Sequence, residues 1–156
     1  MKLRVPDLTE SARTVRFVEP SAALNEMMTA SPGYDDQHFV GEMQVEAEVY
    51  RFAGDVHVRG SLQALLHCTC SRCLDEYDRR LSRAFAFLLV DPARYPEMEP
   101  DAGLDSYQGD EIDLGALARE QALLEVDASI VCSEACKGLC PGCGANLNRE
   151  PCRCSH

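Results

Sequence analysis

The 156-residue sequence reads as a single α+β domain: an antiparallel β-sheet body, one main helix and a cysteine-rich zinc-knuckle tail. Three observations lead there. Residues 39–66 alternate apolar and polar side chains with a period of two, the pattern of half-buried strands. Residues 114–125 follow an aspartate suited to capping a helix and carry apolar residues at helical spacing. Residues 132–154 hold six of the nine cysteines. The length suits one domain on the usual scale of ~150 residues.

Taken in order, Thr14-Val15-Arg16-Phe17-Val18 alternates and is expected to be a strand. Ser21 to Met28 is expected to be a short helix, opened by Pro20 or Ser21 and ended by Ser31-Pro32-Gly33. Met43, Val45, Ala47 and Val49 then share one strand face, with Glu42, Gln44, Glu46 and Glu48 on the other. Ala53-Gly54-Asp55 turns the chain. Val56, Val58, Leu62, Ala64 and Leu66 next alternate against His57, Arg59, Ser61 and Gln63. The two runs predict a long antiparallel hairpin over about 39–67, with cross-strand charge pairs on its solvent face.

The second run leads into Cys68-Thr69-Cys70-Ser71-Arg72-Cys73, and Leu81 to Val90 returns as a buried strand with Phe85 and Phe87 on one face. The knuckle at 68–73 therefore falls at a hairpin tip, where a tight turn aims two thiolates and several backbone N–H groups at one point. Residues 91–111 contain Pro92, Pro96 and Pro100 among Glu97, Glu99, Asp101, Asp105, Asp110 and Glu111. That composition predicts a mobile acidic linker between a β body at 1–90 and a helix plus tail at 112–156, all within one domain. Asp113 is the expected N-cap of a helix over about 114–125, with Leu114, Leu117, Ala118 and Leu124 inward.

Charge narrows the function classes. Lys and Arg number 15 against 26 Asp and Glu, a net charge of −11. Phosphate binding rests on excess cations, so the chain is no general nucleic-acid coat; a local basic patch or a basic protein partner remains open to it. No apolar run approaches the ~18 residues of a membrane span. The first residues lack the roughly 7–15-residue apolar stretch of a secretory signal, so a cytoplasmic location is expected. Nucleophile-elbow, P-loop and Rossmann glycine patterns are absent, and no H-x-E motif surrounds His38, His57, His67 or His156. A non-enzymatic chain without a small-molecule substrate is expected.

Nine cysteines cannot all pair, and cytosolic chains rarely keep disulfides, so the clustering points to metal. The tail reads Cys132-x3-Cys136-x3-Cys140-x2-Cys143-x8-Cys152-x-Cys154. With Cys70 and Cys73 it supplies eight thiolates, enough for two closed tetrahedral Zn2+ sites, and closed sites are structural. Spacing alone leaves the grouping open. The grouping adopted places Cys140, Cys143, Cys152 and Cys154 on one ion, and Cys70, Cys73, Cys132 and Cys136 on the other, tying the hairpin tip to the tail. Cys68 is read as a buried strand residue, and His57 and His67 as ordinary strand residues. Gly142 and Gly144 are expected to supply positive φ around Cys143. Arg72, Lys137, Arg149 and Arg153 lie beside the ligands and offset their charge. The common ferredoxin spacings are absent, and no βαβ pattern supports a thioredoxin-like pair.

Cys70-Ser71-Arg72-Cys73-Leu74, Ile112-Asp113-Leu114 with Arg119-Glu120-Gln121, and Cys136-Lys137-Gly138-Leu139-Cys140-Pro141-Gly142-Cys143-Gly144-Ala145-Asn146-Leu147-Asn148 together resemble the YceD family of large ribosomal RNA subunit accumulation proteins. The resemblance runs from about residue 14 to the end. It implies a bacterial or organellar factor that supports accumulation of the large-subunit (23S) rRNA, with that rRNA or a large-subunit ribosomal protein as partner. In that setting Arg72, Arg79 and Arg80 at the knuckle, with Lys137, Arg149 and Arg153 in the tail, are the candidate cationic contacts. The competing readings are a zinc-dependent thiol redox switch or metal-storage module, and a small adaptor that docks only to protein.

Overall fold

The computed structural model describes residues 1–30, 34, 36–91, 94–95, 105–107, 109–127 and 130–154. Its strands are β1 (Lys2–Arg4), β2 (Arg13–Pro20), β3 (Gln37–Phe52), β4 (Asp55–Thr69), β5 (Glu76–Val90), β6 (Asp105–Ser106) and β7 (Glu111–Asp113). Its helices are α1 (Ser21–Thr29) and α2 (Leu114–Leu123), with one 3-10 turn at Val5–Asp7. The main sheet runs β2-β3-β4-β5-β6, antiparallel except for the parallel β5–β6 pair, and β1 pairs with β7 apart from it.

The long alternating runs pair as β3 and β4, with Phe52 opposite Asp55 and only Ala53 and Gly54 between. Both turn residues take positive φ, +50° and +92°, the backbone whose twist suits a two-residue hairpin. Even-numbered residues of β4 face inward: Val56, Val58, Leu62, Leu66 and Cys68 are each at most 2% exposed. Gly60 keeps the same parity because no side chain fits there; a Cβ would lie 2.4 Å from the Glu46 carbonyl oxygen. A register shift between Val40 and Gln44 marks a bulge in β3. On the outward face, Arg59 pairs with Glu48 at 3.0 Å, the cross-strand pair that the charge alternation of the hairpin predicts, and Arg16 of β2 pairs with Glu46 at 2.9 Å.

The inward face packs against both helices and the N-terminal segment. Leu24 and Met28 of α1, Leu114, Ala118 and Ala122 of α2, and Leu3, Val5 and Leu8 join the same core. Pro20 is the residue before α1, and Asn25 fixes that helix to β3 by bonding both the N–H (2.7 Å) and the carbonyl (3.0 Å) of Phe39. Asp113 caps α2 by accepting from the Ala116 N–H at 3.1 Å. The helix stops at Leu123, so Leu124 lies outside it and is 66% exposed rather than inward; Ala122 takes the buried place. Glu19, 6% exposed on β2, pairs with Arg119, and Arg83 of β5 pairs with Glu125.

Within 91–111, Asp105–Ser106 continues the sheet beside Leu89 and Val90, Tyr107 is buried, and Glu111 already belongs to β7. Pro92, Pro96, Glu97, Glu99, Pro100 and Asp101 lie outside the described residues, as do Ser31-Pro32-Gly33 and His156.

Candidate metal centres at the sheet tip

β4 and β5 are joined by Cys70 to Asp75, and this turn is built like a second one in the tail. In the first, the Cys70 N–H donates to the Asp75 carbonyl and the Leu74 N–H to the Cys70 carbonyl, both at 2.9 Å. In the second, the Cys140 N–H donates to the Ala145 carbonyl and the Gly144 N–H to the Cys140 carbonyl, both at 2.8 Å. Each turn presents a C-x-x-C pair, and the residue after it takes a left-handed backbone, Leu74 at φ +60° and Gly144 at φ +71°. Gly142 does not have positive φ, contrary to expectation; Gly138 does, at +73°. What Gly142 supplies is room, since a Cβ there would lie 2.6 Å from the Cys154 sulfur.

The eight cysteines gather as two groups of four, Cys70 with Cys73, Cys132 and Cys136, and Cys140 with Cys143, Cys152 and Cys154. Within each group the sulfurs lie within 4.8 Å of one another. Sulfurs bound tetrahedrally at ~2.3 Å to one zinc ion stand about 3.8 Å apart. The observed separations match: Cys70–Cys136 3.8 Å, Cys73–Cys132 3.7 Å, Cys140–Cys152 3.4 Å, Cys140–Cys154 3.7 Å and Cys143–Cys152 4.0 Å. A disulfide would require ~2.05 Å. Donor chemistry and spacing therefore fit one thiophilic ion per group. Cys68 belongs to neither; it is fully buried in β4.

Backbone N–H groups converge on the sulfurs, as in metal knuckles. Arg72 and Cys132 donate to the Cys70 sulfur, Arg153 to Cys143 and Cys154 to Cys152, each at 3.4 Å. Burial opposes ionisation of Cys70, but the N–H groups of Cys132, Cys73 and Arg72 outweigh it and bring the thiol down to about 6. Those of Cys143 and Gly142 bring Cys140 to about 6 as well. Their neighbours move the other way. Cys73 gains from the Asp75 N–H, yet burial and the adjoining sulfurs push it up to about 12, and hydrogen bonds with Cys152 and Cys140 push Cys154 to about 12. In each knuckle the converging N–H groups thus favour the thiolate at the first cysteine, Cys70 or Cys140.

The inner group, Cys70 with Cys73, Cys132 and Cys136, is locked to the sheet. Ser71 pairs with Ile130 through both backbone and hydroxyl (2.9 and 2.7 Å), and the Tyr77 hydroxyl donates to the Val131 carbonyl at 3.0 Å. The outer group, Cys140 with Cys143, Cys152 and Cys154, is held against the inner one. The Leu139 N–H reaches the Arg72 carbonyl at 2.9 Å, and Asp75 takes the Asn146 amide at 3.1 Å and Arg149 at 2.9 Å. The amide of Asn148 donates to the Cys136 sulfur at 3.4 Å, and that bond is the main cause lowering the Cys136 thiol. Residue spacing suggested no role for Asn146 or Asn148; the short N-x-N that follows C-x-x-C-G was the available signal.

The candidate cations do not share one face. Arg79 points inward and pairs with Asp127 at 2.8 Å, whereas Arg80 points to the outward sheet face beside Gln63 and Ser82. Arg149 pairs with Asp75, and Arg153 pairs with Glu150. Arg72 uses its guanidinium on the Cys136 carbonyl at 3.2 Å. Among the described residues Arg72, Arg80 and Lys137 form no ion pair. His67 donates or accepts at Asp78, 2.8 Å away, and His57 stacks on Tyr50 at 4.7 Å.

Comparison with known proteins adds identity to this geometry. The model of the family described as "Large ribosomal RNA subunit accumulation protein YceD" matches residues 58–156. A chloroplastic YCED homolog 1 of Arabidopsis thaliana, named as a large ribosomal RNA subunit accumulation protein, is 27% identical over 142 residues, covering 72% of this chain and 43% of the relative. Its counterpart from Zea mays is 28% identical over 142 residues, covering 70% of this chain and 47% of the relative. The chain thus spans less than half the length of these curated relatives. No solved structure matches it. The matched segment takes in more than half of the chain, both knuckles and every cysteine, and the chain belongs to the large ribosomal RNA subunit accumulation protein YceD family.

Proposed function

We propose that this chain is a non-enzymatic, cytoplasmic ribosome-biogenesis factor that supports accumulation of bacterial large-subunit (23S) rRNA. In this reading it carries two structural Zn2+ ions and uses the metal-stiffened end of its sheet to hold the rRNA or a large-subunit ribosomal protein. The observation that carries the reading is the pair of closed four-sulfur groups. A site with four protein ligands keeps no position for a water or substrate, so it stiffens a surface rather than performs chemistry. Family membership supplies the target.

The contacts proposed are Arg72, Arg80 and Lys137, whose charge no described carboxylate neutralises, with Arg79, Arg149 and Arg153 available by giving up Asp127, Asp75 and Glu150. Depletion of the protein should lower the ratio of large- to small-subunit rRNA and leave unprocessed precursor ends. Alanine at Arg72, Arg80 and Lys137 should reproduce the defect without loss of metal. An unchanged ratio, with growth failing only under oxidant or metal stress, overturns the reading in favour of a thiol redox switch or metal store. The exposure of Cys143 and Cys152 is the feature that favours that second reading.

A further inference from the structure

We infer that the two centres take up metal as a coupled pair, the outer centre setting the affinity of the inner one through Asn148. This rests on the metal-binding reading above and extends it. The segment between Cys143 and Cys152 is a loop with both ends on outer-centre ligands. Its interior is a compact turn, the Asn146 carbonyl accepting from the N–H groups of Arg149 and Glu150 at 2.9 Å each. From that turn Asn148 makes two contacts with the inner centre at once. Its side-chain oxygen accepts from the Lys137 N–H at 2.8 Å, and its amide donates to the Cys136 sulfur at 3.4 Å. Asn146 fixes the same amide group by accepting from it at 3.0 Å, while reaching Asp75 of the first knuckle with its own amide.

An ion in the outer centre therefore fixes the loop that orients Asn148, and an oriented Asn148 holds the Cys136 sulfur in place for the inner ion. Outer-shell partners of this kind change metal affinity by roughly 10–100-fold. Coupling of binding free energies is reciprocal, so an ion at Cys136 also pre-orders the Lys137-Gly138-Leu139 stretch that leads into the outer knuckle.

The test uses the full chain loaded with Zn2+, with transfer of the metal to a chromophoric chelator followed in time, and Co2+ as a spectroscopic probe. Two ions per chain should leave in two phases. The slower belongs to the inner centre, whose Cys70, Cys73 and Cys136 are at most 6% exposed. Asn148→Asp keeps the acceptor for the Lys137 N–H but places a carboxylate against the sulfur. It should retain both ions, speed the slow phase at least 10-fold and shift the Co2+ bands of that centre. Cys143→Ser, which breaks the outer centre, should hold one ion tightly and release it at least 10-fold faster than the slow phase of the native chain. Native slow-phase rates in both variants overturn the coupling while leaving two metal centres standing. A chain that takes up no Zn2+ overturns the metal reading itself.

Discussion

Leu74 and Gly144 occupy the same place in two equivalently hydrogen-bonded turns, each directly after the second cysteine and each with left-handed backbone. Glycine adopts that conformation freely, whereas an L side chain costs roughly 1–2 kcal/mol. Gly144→Val should therefore destabilise the tail by about 1–2 kcal/mol in denaturant titration. Leu74→Gly should be nearly neutral, within about 0.5 kcal/mol, because relief of strain offsets the added freedom of the unfolded chain. Leu74 is 62% exposed, so little packing is lost with it.

Metal removal should separate the tail from the sheet. Structural zinc contributes on the order of 10 kcal/mol of coupled binding and folding energy. The sheet core around Phe39, Leu62, Leu66 and Leu89 is built without the tail cysteines. Strong chelation should abolish hydrogen-exchange protection across residues 132–154, and Cys140→Ser across 140–154, while β3, β4 and β5 stay protected. Tail protection that survived full chelation would contradict a metal-dependent tail.

Uptake of metal should release fewer than four protons per ion at pH 7. Cys70 and Cys140 lie at about 6, below the ordinary thiol value of 9.0, so both are largely thiolate before the ion arrives. A lowered folded-state pKa means that the stabilisation is complete above the ordinary value and disappears as pH falls through about 6. The proton count should accordingly rise toward four between pH 7 and pH 5, and metal affinity should fall. Calorimetric titrations in buffers of different ionisation enthalpy measure the count directly; a pH-independent value of four would refute the assignment.

Gly60→Ala should be disproportionately damaging for so small a change. The new methyl would meet the Glu46 carbonyl at 2.4 Å and the Ala47 backbone at 2.9 Å, and backbone in the middle of a sheet has nowhere to move. Overpacking of this kind costs ~1–3 kcal/mol. The effect should be seen as a lower thermal midpoint with the metal content unchanged.

The period-two pattern made β3, β4 and β5 legible because each strand buries one face only, and Asp113 was legible as a cap because its chemistry is local. Leu124 was misplaced because helical spacing says where a residue would point if the helix continued, not where the helix stops. The cysteine count pointed to metal, but spacing left the grouping of sulfurs open; it is the fold that brings Cys132 and Cys136 back to Cys70 and Cys73 at the hairpin tip. The roles of Asn146, Asn148 and Asp75 were not legible, since each depends on the outer knuckle docking against the inner one. The opposite orientation of Arg79 and Arg80 followed from strand alternation that was applied to the apolar residues but not carried on to these two.

The two sulfur groups also differ in when they can close during synthesis. The outer one joins residues 9 to 14 positions apart and needs only its own short segment. The inner one must bring Cys132 and Cys136 back to residues made 59 and 66 positions earlier, long after the strands of the sheet have emerged. Closure of a loop that long costs several kcal/mol of chain entropy, on the order of (3/2)RT ln n. A nascent chain therefore carries an open pair of thiols at the end of its central hairpin until translation has passed residue 136. Completion of the inner centre marks, in one chemical event, that the sheet, the helix and the tail have all been made and have found one another.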